Sequence, residues 1–144
     1  MLTPIDPVRA RSVVRLRVRF YETDLMGIVH HGSYVGYLEV ARVEWLRRRG
    51  VAYVSWAERG LHLAVVDLVL KYRAPARFDD EIDVEVALGE WRAASIRFDY
   101  RLLRVGDGVL LAEGSTRLAC VDEKGALKRV HDEMVDVLGR GEAV

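Results

Sequence analysis

Residues 33–49, SYVGYLEVARVEWLRRR, constrain the fold of this chain more than any other stretch. Apolar or aromatic side chains stand at 34, 35, 37, 38, 40, 41, 43, 45 and 46, so a helix from about Gly32 to Arg49 is apolar around most of its circumference. A helix lying on a protein surface carries one apolar stripe, whereas one that is apolar nearly all round has to be enclosed by protein. Its polar exceptions, Glu39, Arg42 and Glu44, then need partners or an opening to water. Arg47, Arg48 and Arg49 followed by Gly50 end it well, with cations at the negative pole of the helix dipole and glycine as the stop.

The rest of the chain decides what can enclose such a helix, and it reads as strands. In VVRLRVRFY, from 13 to 21, Val14, Leu16, Val18 and Phe20 alternate with Arg15, Arg17 and Arg19, the pattern of a half-buried strand with a charged outer face. A short helical link is expected near Tyr53–Arg59, then strands near His62–Tyr72, Glu81–Leu88, Ala94–Val105 and Val109–Val121. Turn signals fall at Pro75–Asp80, Gly89–Arg92 and Gly106–Gly108, the last a hairpin built on Asp107-Gly108, and a terminal helix is expected over His131–Leu138. An antiparallel sheet curled around one long apolar helix satisfies both halves of the pattern. The fold class is therefore α+β, a single domain over residues 1–144 with an irregular arm over about 1–12 around Pro4 and Pro7.

Composition narrows the function. With 51% hydrophobic and 31% charged residues the chain is globular, and 22 basic against 22 acidic groups argue against holding nucleic acid or an anionic membrane by bulk charge. The same balance permits association between copies. The single Cys120 has no partner for an internal disulfide, which fits a reducing compartment. No run of 18 apolar residues is present and MLTPIDPVRARS lacks the apolar core of a secretory signal, so no membrane span and a cytoplasmic location are expected.

Polar chemistry concentrates in YETDLMGIVHHGSY, between the first strand and the long helix. Tyr21, Glu22, Asp24, His30 and His31 lie within eleven residues there, before a helix N-terminus whose free N–H groups favour developing negative charge. Gly27 and Gly32 let the main chain turn sharply or approach a ligand. Blander roles compete for the same residues: Asp24 as a turn cap, His31 as a satisfied half-buried histidine, Tyr21 as a core ring ending the strand. Adjacent histidines without HxH, HxxxH or CxxC spacing argue against a metal site. No GxSxG, P-loop or dinucleotide-binding glycine pattern is present.

The stretch from Tyr21 to Tyr34, with Tyr37, Glu39, Ala41 and Arg42, resembles the signature of hotdog-fold acyl-CoA thioesterases. It is closest to the 4-hydroxybenzoyl-CoA thioesterase type, including the bacterial Tol–Pal-associated branch. YRAPARFDDEI (72–82) resembles that branch's turn between strands, and LACVDEKG (118–125) its last strand. The resemblance spans about residues 13–130. It implies a sheet wrapped round a central helix and hydrolysis of an acyl or aroyl thioester to a carboxylic acid and free CoA. No cofactor beyond the CoA carried by the substrate is implied, and the site lies between two subunits of a dimer or tetramer.

By the same resemblance Asp24 is the catalytic carboxylate, as nucleophile or as base for water, and His31 supplies the backbone N–H that polarises the thioester carbonyl, its side chain also being implicated. Tyr21 matches a tyrosine of the motif and Gly27 the glycine allowing close approach. His30, where relatives carry Tyr or Phe, borders the site, and Tyr34 either lines the acyl pocket or fills core. GEWRAAS (89–95) resembles a turn that contacts CoA phosphates, which makes Arg92 and Arg117 the phosphate candidates. Two other functions share this fold type, a non-catalytic module that binds acyl thioesters and an enoyl-thioester hydratase or dehydratase; the latter lacks its usual His-plus-acid pair on the helix.

Overall fold

A computed structural model of the protein describes residues 4–142 apart from residue 131. In chain order its elements are β1 (Arg11–Arg17), α1 (Ser33–Arg47), α2 (Tyr53–Glu58), β2 (His62–Tyr72), β3 (Glu81–Trp91), β4 (Ser95–Arg104), β5 (Leu110–Val121) and α3 (Asp132–Leu138). The five strands form one antiparallel sheet in the order β1-β3-β4-β5-β2, and α1 lies across one face of it. This is the arrangement the pattern of one apolar helix and alternating strands required.

Strand alternation sets the two faces. Ile82, Val84, Val86 and Leu88 of β3 meet Leu102, Tyr100 and Phe98 of β4 on the buried side, while Arg11, Arg15 and Arg17 face Glu85, Asp83 and Glu81 on the outer side. From α1, Tyr34, Tyr37, Leu38, Ala41, Trp45 and Leu46 are buried against the inner face. Trp45 donates its indole N–H to the Ala10 carbonyl at 2.8 Å and meets Phe98 edge-on at 5.0 Å.

Three expectations need correction. The strand drawn over 13–21 stops at Arg17, and Phe20–Glu22 is a turn of 3₁₀ helix with Phe20 and Tyr21 exposed. Val18 N–H bonds to the Asp80 carbonyl and the Glu22 carboxylate takes the Arg19 N–H, so the chain leaves the sheet although its alternation continues. The turn drawn at Gly89–Arg92 starts later: β3 runs on to Trp91 through a bulge between Leu88 and Glu90. A Cβ on Gly89 would stand 2.1 Å from the Asp99 carboxylate, so a larger residue there would have to displace the Asp99 and Arg97 side-chain ends. Finally, α1 is not enclosed all round by its own chain, because the sheet covers one side and leaves Val35 and Val40 exposed on the other. Of the expected terminal helix, residue 131 lies outside the described residues.

Candidate active site

Between β1 and α1 the chain makes a small hairpin that carries Asp24. Thr23 pairs with Val29 across it, Asp24 N–H donates to the Ile28 carbonyl and Gly27 N–H to the Asp24 carbonyl, both at 2.9 Å. Gly27 closes the turn at φ +77°, a conformation costly for any residue with a Cβ. Asp24 is half-buried, and its Oδ1 accepts the Met26 N–H at 2.8 Å. Among the described residues Oδ2 has no hydrogen-bond partner. The turn-capping bond thus occupies one oxygen of the carboxylate and leaves the other open.

Glu22 fastens this hairpin to the helix. Its backbone carbonyl accepts the His30 N–H at 2.8 Å and the Ser33 hydroxyl at 3.0 Å. Its buried carboxylate accepts the Tyr37 hydroxyl at 3.0 Å, the Arg19 N–H at 2.7 Å and the Arg19 guanidinium at 3.3 Å. Burial and the facing carboxylate push the Tyr37 phenol well above its ordinary pKa, so it stays a donor. Sequence reading placed Glu22 in the polar cluster without a role, and no periodic signal marks it, because the chain has left the strand there.

His31 stands at the positive pole of α1. Its N–H has no acceptor among the described residues, and its carbonyl accepts the Tyr72 hydroxyl at 2.9 Å, which ties the end of β2 to the site. The His30 ring lies against that of His31, centroids 4.1 Å apart, and its Nδ1 accepts the Gly32 N–H at 3.0 Å. A carboxylate oxygen without a partner and a backbone N–H without an acceptor are therefore held near one helix end. Together they supply what attack on a carbonyl group requires, a nucleophile or base and a donor for the oxyanion.

The remaining predicted residues fall in different places. Tyr21 is exposed, its hydroxyl accepting from the Arg19 guanidinium at 3.3 Å. Tyr34 is buried in the core, edge-on to Tyr37 and Tyr72, and burial raises its pKa. Arg92 and Arg117 meet each other through Glu90, to which each donates at 2.8 Å, with Arg97 at 3.0 Å from the same carboxylate. The guanidiniums of Arg117, foremost, and Arg92 hold the Glu90 carboxyl down at about 2. An incoming phosphate must compete with Glu90 for both. Arg77 was not singled out: its Nη1 lies 3.8 Å from where a Cβ on Gly27 would stand. Around the hairpin Phe20, Tyr21, Leu25, Met26 and Phe78 form an exposed apolar patch, Phe20 and Phe78 edge-on at 5.7 Å. Among the described residues no cluster of His, Cys, Asp or Glu is placed to hold a metal ion.

Comparison with known proteins adds a family and a fold. The sequence family described as the thioesterase-like superfamily matches residues 18–138. The acyl-CoA thioester hydrolase YbgC of Escherichia coli is 32% identical over 107 residues, 74% of this chain and 79% of that protein. Among solved structures, a hypothetical protein of Thermus thermophilus is 43% identical with a TM-score of 0.82, covering 89% of this chain and 95% of that one. The DHNA-CoA thioesterase of Staphylococcus aureus is 26% identical with a TM-score of 0.80, covering 83% and 80%.

Proposed function

The chain belongs to the thioesterase-like superfamily, and on that premise we propose that it hydrolyses an acyl or aroyl thioester of coenzyme A, with Asp24 as the catalytic carboxylate. The observation that carries this reading is that, among the described residues, Asp24 Oδ2 has no hydrogen-bond partner and the His31 N–H, seven residues on at the head of α1, has no acceptor. Asp24 attacks the thioester carbon to give a mixed anhydride that water then cleaves to the free acid, or takes the proton from a water that attacks directly, while the His31 N–H and the pole of α1 receive the charge on the carbonyl oxygen. The leaving thiolate belongs to a thiol of pKa about 8.5, so departure needs no strong acid. The chemistry calls for no metal and no organic cofactor. Tyr21, His30 and Gly27 border the reacting groups, and buried Tyr34 backs them. Arg92 and Arg117 take the CoA phosphates once Glu90 yields them.

A second copy of the chain completes the site. Strand β2 is an edge of 11 residues paired only with β5, and Val65, Val66 and Val69 on it are exposed. An unprotected apolar edge of that length is a template for another strand. The open face of α1 and the apolar patch around Asp24 are the other surfaces such a copy covers. Dimers of this kind pair into a tetramer in the cytoplasm, where free Cys120 is stable.

Release of CoA thiol from a panel of acyl-CoAs tests the chemistry. Asp24→Asn is expected to lower kcat by at least about a hundredfold with the fold intact. Turnover unchanged by that substitution refutes the role, and CoA-thioester binding without turnover in the wild type refutes hydrolysis. Val66→Lys on the β2 edge is expected to yield monomers by light scattering and to lose activity in parallel.

A further inference from the structure

The head of α1 is ordered by one residue in front of it. Gly32, at the helix N-cap, has no side chain, and the Ser33 hydroxyl is turned away to donate to the Glu22 carbonyl at 3.0 Å. Acceptors for the first N–H groups come instead from His30. Its ring Nδ1 takes the Gly32 N–H at 3.0 Å, and its carbonyl takes the Ser33 N–H at 2.9 Å. Its own N–H donates to the Glu22 carbonyl at 2.8 Å, so the residue is fastened on both sides. A Cβ on Gly32 would stand 3.2 Å from that Nδ1 and 3.3 Å from Cε1, so a side chain there would have to push the ring back.

The His30 carbonyl and the His31 N–H belong to one planar trans peptide and point in opposite directions. Fixing the carbonyl on Ser33 therefore aims the His31 N–H. The following peptide is held at both ends, its carbonyl by the Tyr72 hydroxyl at 2.9 Å and its N–H by the His30 ring. His31 thus sits between two clamped peptides, and the imidazole of His30 closes the second clamp. All of these bonds are internal to one chain and need no second copy. A ring nitrogen that accepts an N–H carries no proton, so the neutral imidazole of His30 keeps its proton on Nε2. Phenylalanine or tyrosine at this position would offer no acceptor there.

We propose that His30 is a positioning residue for hydrolysis: its ring, as the neutral Nε2–H tautomer, holds the head of α1 so that the His31 N–H faces the thioester oxygen. This role rests on reading that N–H as the donor to the oxyanion. It gives the ring itself no proton transfer and no bond to the reacting atoms.

Two substitutions separate the near nitrogen from the far one. His30→Asn puts Oδ1 where Nδ1 stands, and an asparagine oxygen accepts the N–H two residues on in the same way. His30→Gln reaches the Nε2 position with an N–H donor and leaves the near acceptor out. Nitrogen NMR of the wild-type ring is expected to show Nδ1 bare and Nε2 protonated in the neutral form. His30→Gln is expected to lower kcat by at least about tenfold with KM held within about twofold, and to speed hydrogen exchange of the Gly32 amide. His30→Asn is expected to recover most of the lost kcat and to keep that amide protected. A proton on Nδ1 of the neutral ring overturns the proposal. Activity kept by Gln and lost by Asn also overturns it, because the ring would then act on substrate through Nε2. Should His30→Gln fail to fold, an Asn variant that loses kcat while Gly32 stays protected overturns it instead. No turnover of any acyl-CoA by the wild type refutes the thioesterase reading and this role with it, while the ring spectrum and the Gly32 exchange rate still decide the tautomer.

Discussion

Tyr37→Phe removes one hydroxyl from the core and puts a measurable load on the link between α1 and the Asp24 hairpin. The lost bond runs to the carboxylate of Glu22, which is only 8% exposed, at 3.0 Å. A hydrogen bond to a charged group is worth about 1.5–3 kcal/mol. Glu22 keeps the Arg19 N–H and the Arg19 guanidinium, and phenylalanine keeps the ring contact with Tyr34, so no cavity opens. The loss should therefore sit at the lower end, about 1.5–2 kcal/mol. With an unfolding entropy near 2.1 cal/mol/K per residue over 144 residues, or about 0.3 kcal/mol/K, the midpoint should fall by about 5–7 °C at fixed protein concentration. A double-mutant cycle with Glu22→Gln should return a coupling of about 1 kcal/mol or more, because the two side chains are in contact. In the thiol-release assay kcat should fall while KM holds, the signature of a displaced reacting group. A melting point unchanged to within a degree, or additive single effects, would refute the claim that this bond anchors the site.

Arg49→Met should be the more damaging change. That guanidinium is 2% exposed, donates to the Arg9, Arg140 and Trp45 carbonyls and the Ser12 hydroxyl, and lies 3.8 Å over the Trp45 ring, so its loss strands several buried acceptors and should cost about 3 kcal/mol or more in chemical denaturation. Burial pushes the Cys120 thiol up to about 11, so a chromogenic thiol reagent should leave it untouched until the protein unfolds and should report only released CoA. Glu90 is held down to about 2, so its contribution is present above the ordinary carboxylate range and lost as pH falls from about 4.5 toward 2; the stability gap between wild type and Glu90→Gln at neutral pH should close over that window in acid titration.

The local features were legible because they are periodic or set by near neighbours. β2 occupies His62–Tyr72 as its apolar run indicates, and the Gly106–Gly108 turn holds both glycines at positive φ, as a tight hairpin demands. The spacing of Asp24, Gly27 and His31 before an apolar helix was readable for the same reason: turn, glycine and helix start lie within ten residues. What escaped depends on partners distant in sequence. The alternation of β1 continues through Phe20, yet Asp80, some sixty residues on, takes the Val18 N–H and Glu22 caps the turn, so the strand ends. Arg117 looks like a free cation in the sequence, and only the pairing of β3 with β4 and of β4 with β5 brings it to Glu90, where Arg92 already reaches from two residues along the chain.

The helix that dominates the sequence shows the same division. Its composition determined that protein must cover it, because apolar side chains on so many positions cannot all face water, and the strand patterns in the rest of the chain determined that a sheet does so. Only the tertiary structure decided how much of it one chain covers. A five-stranded sheet lies against a single side of α1, so Tyr34, Tyr37 and Trp45 enter the core while Val35 and Val40 stay exposed. Among the described residues the same geometry leaves Arg42 half-buried without an ion-pair partner. Hydrophobicity specifies burial without direction; which surface meets which is settled by register and packing between residues far apart in the chain.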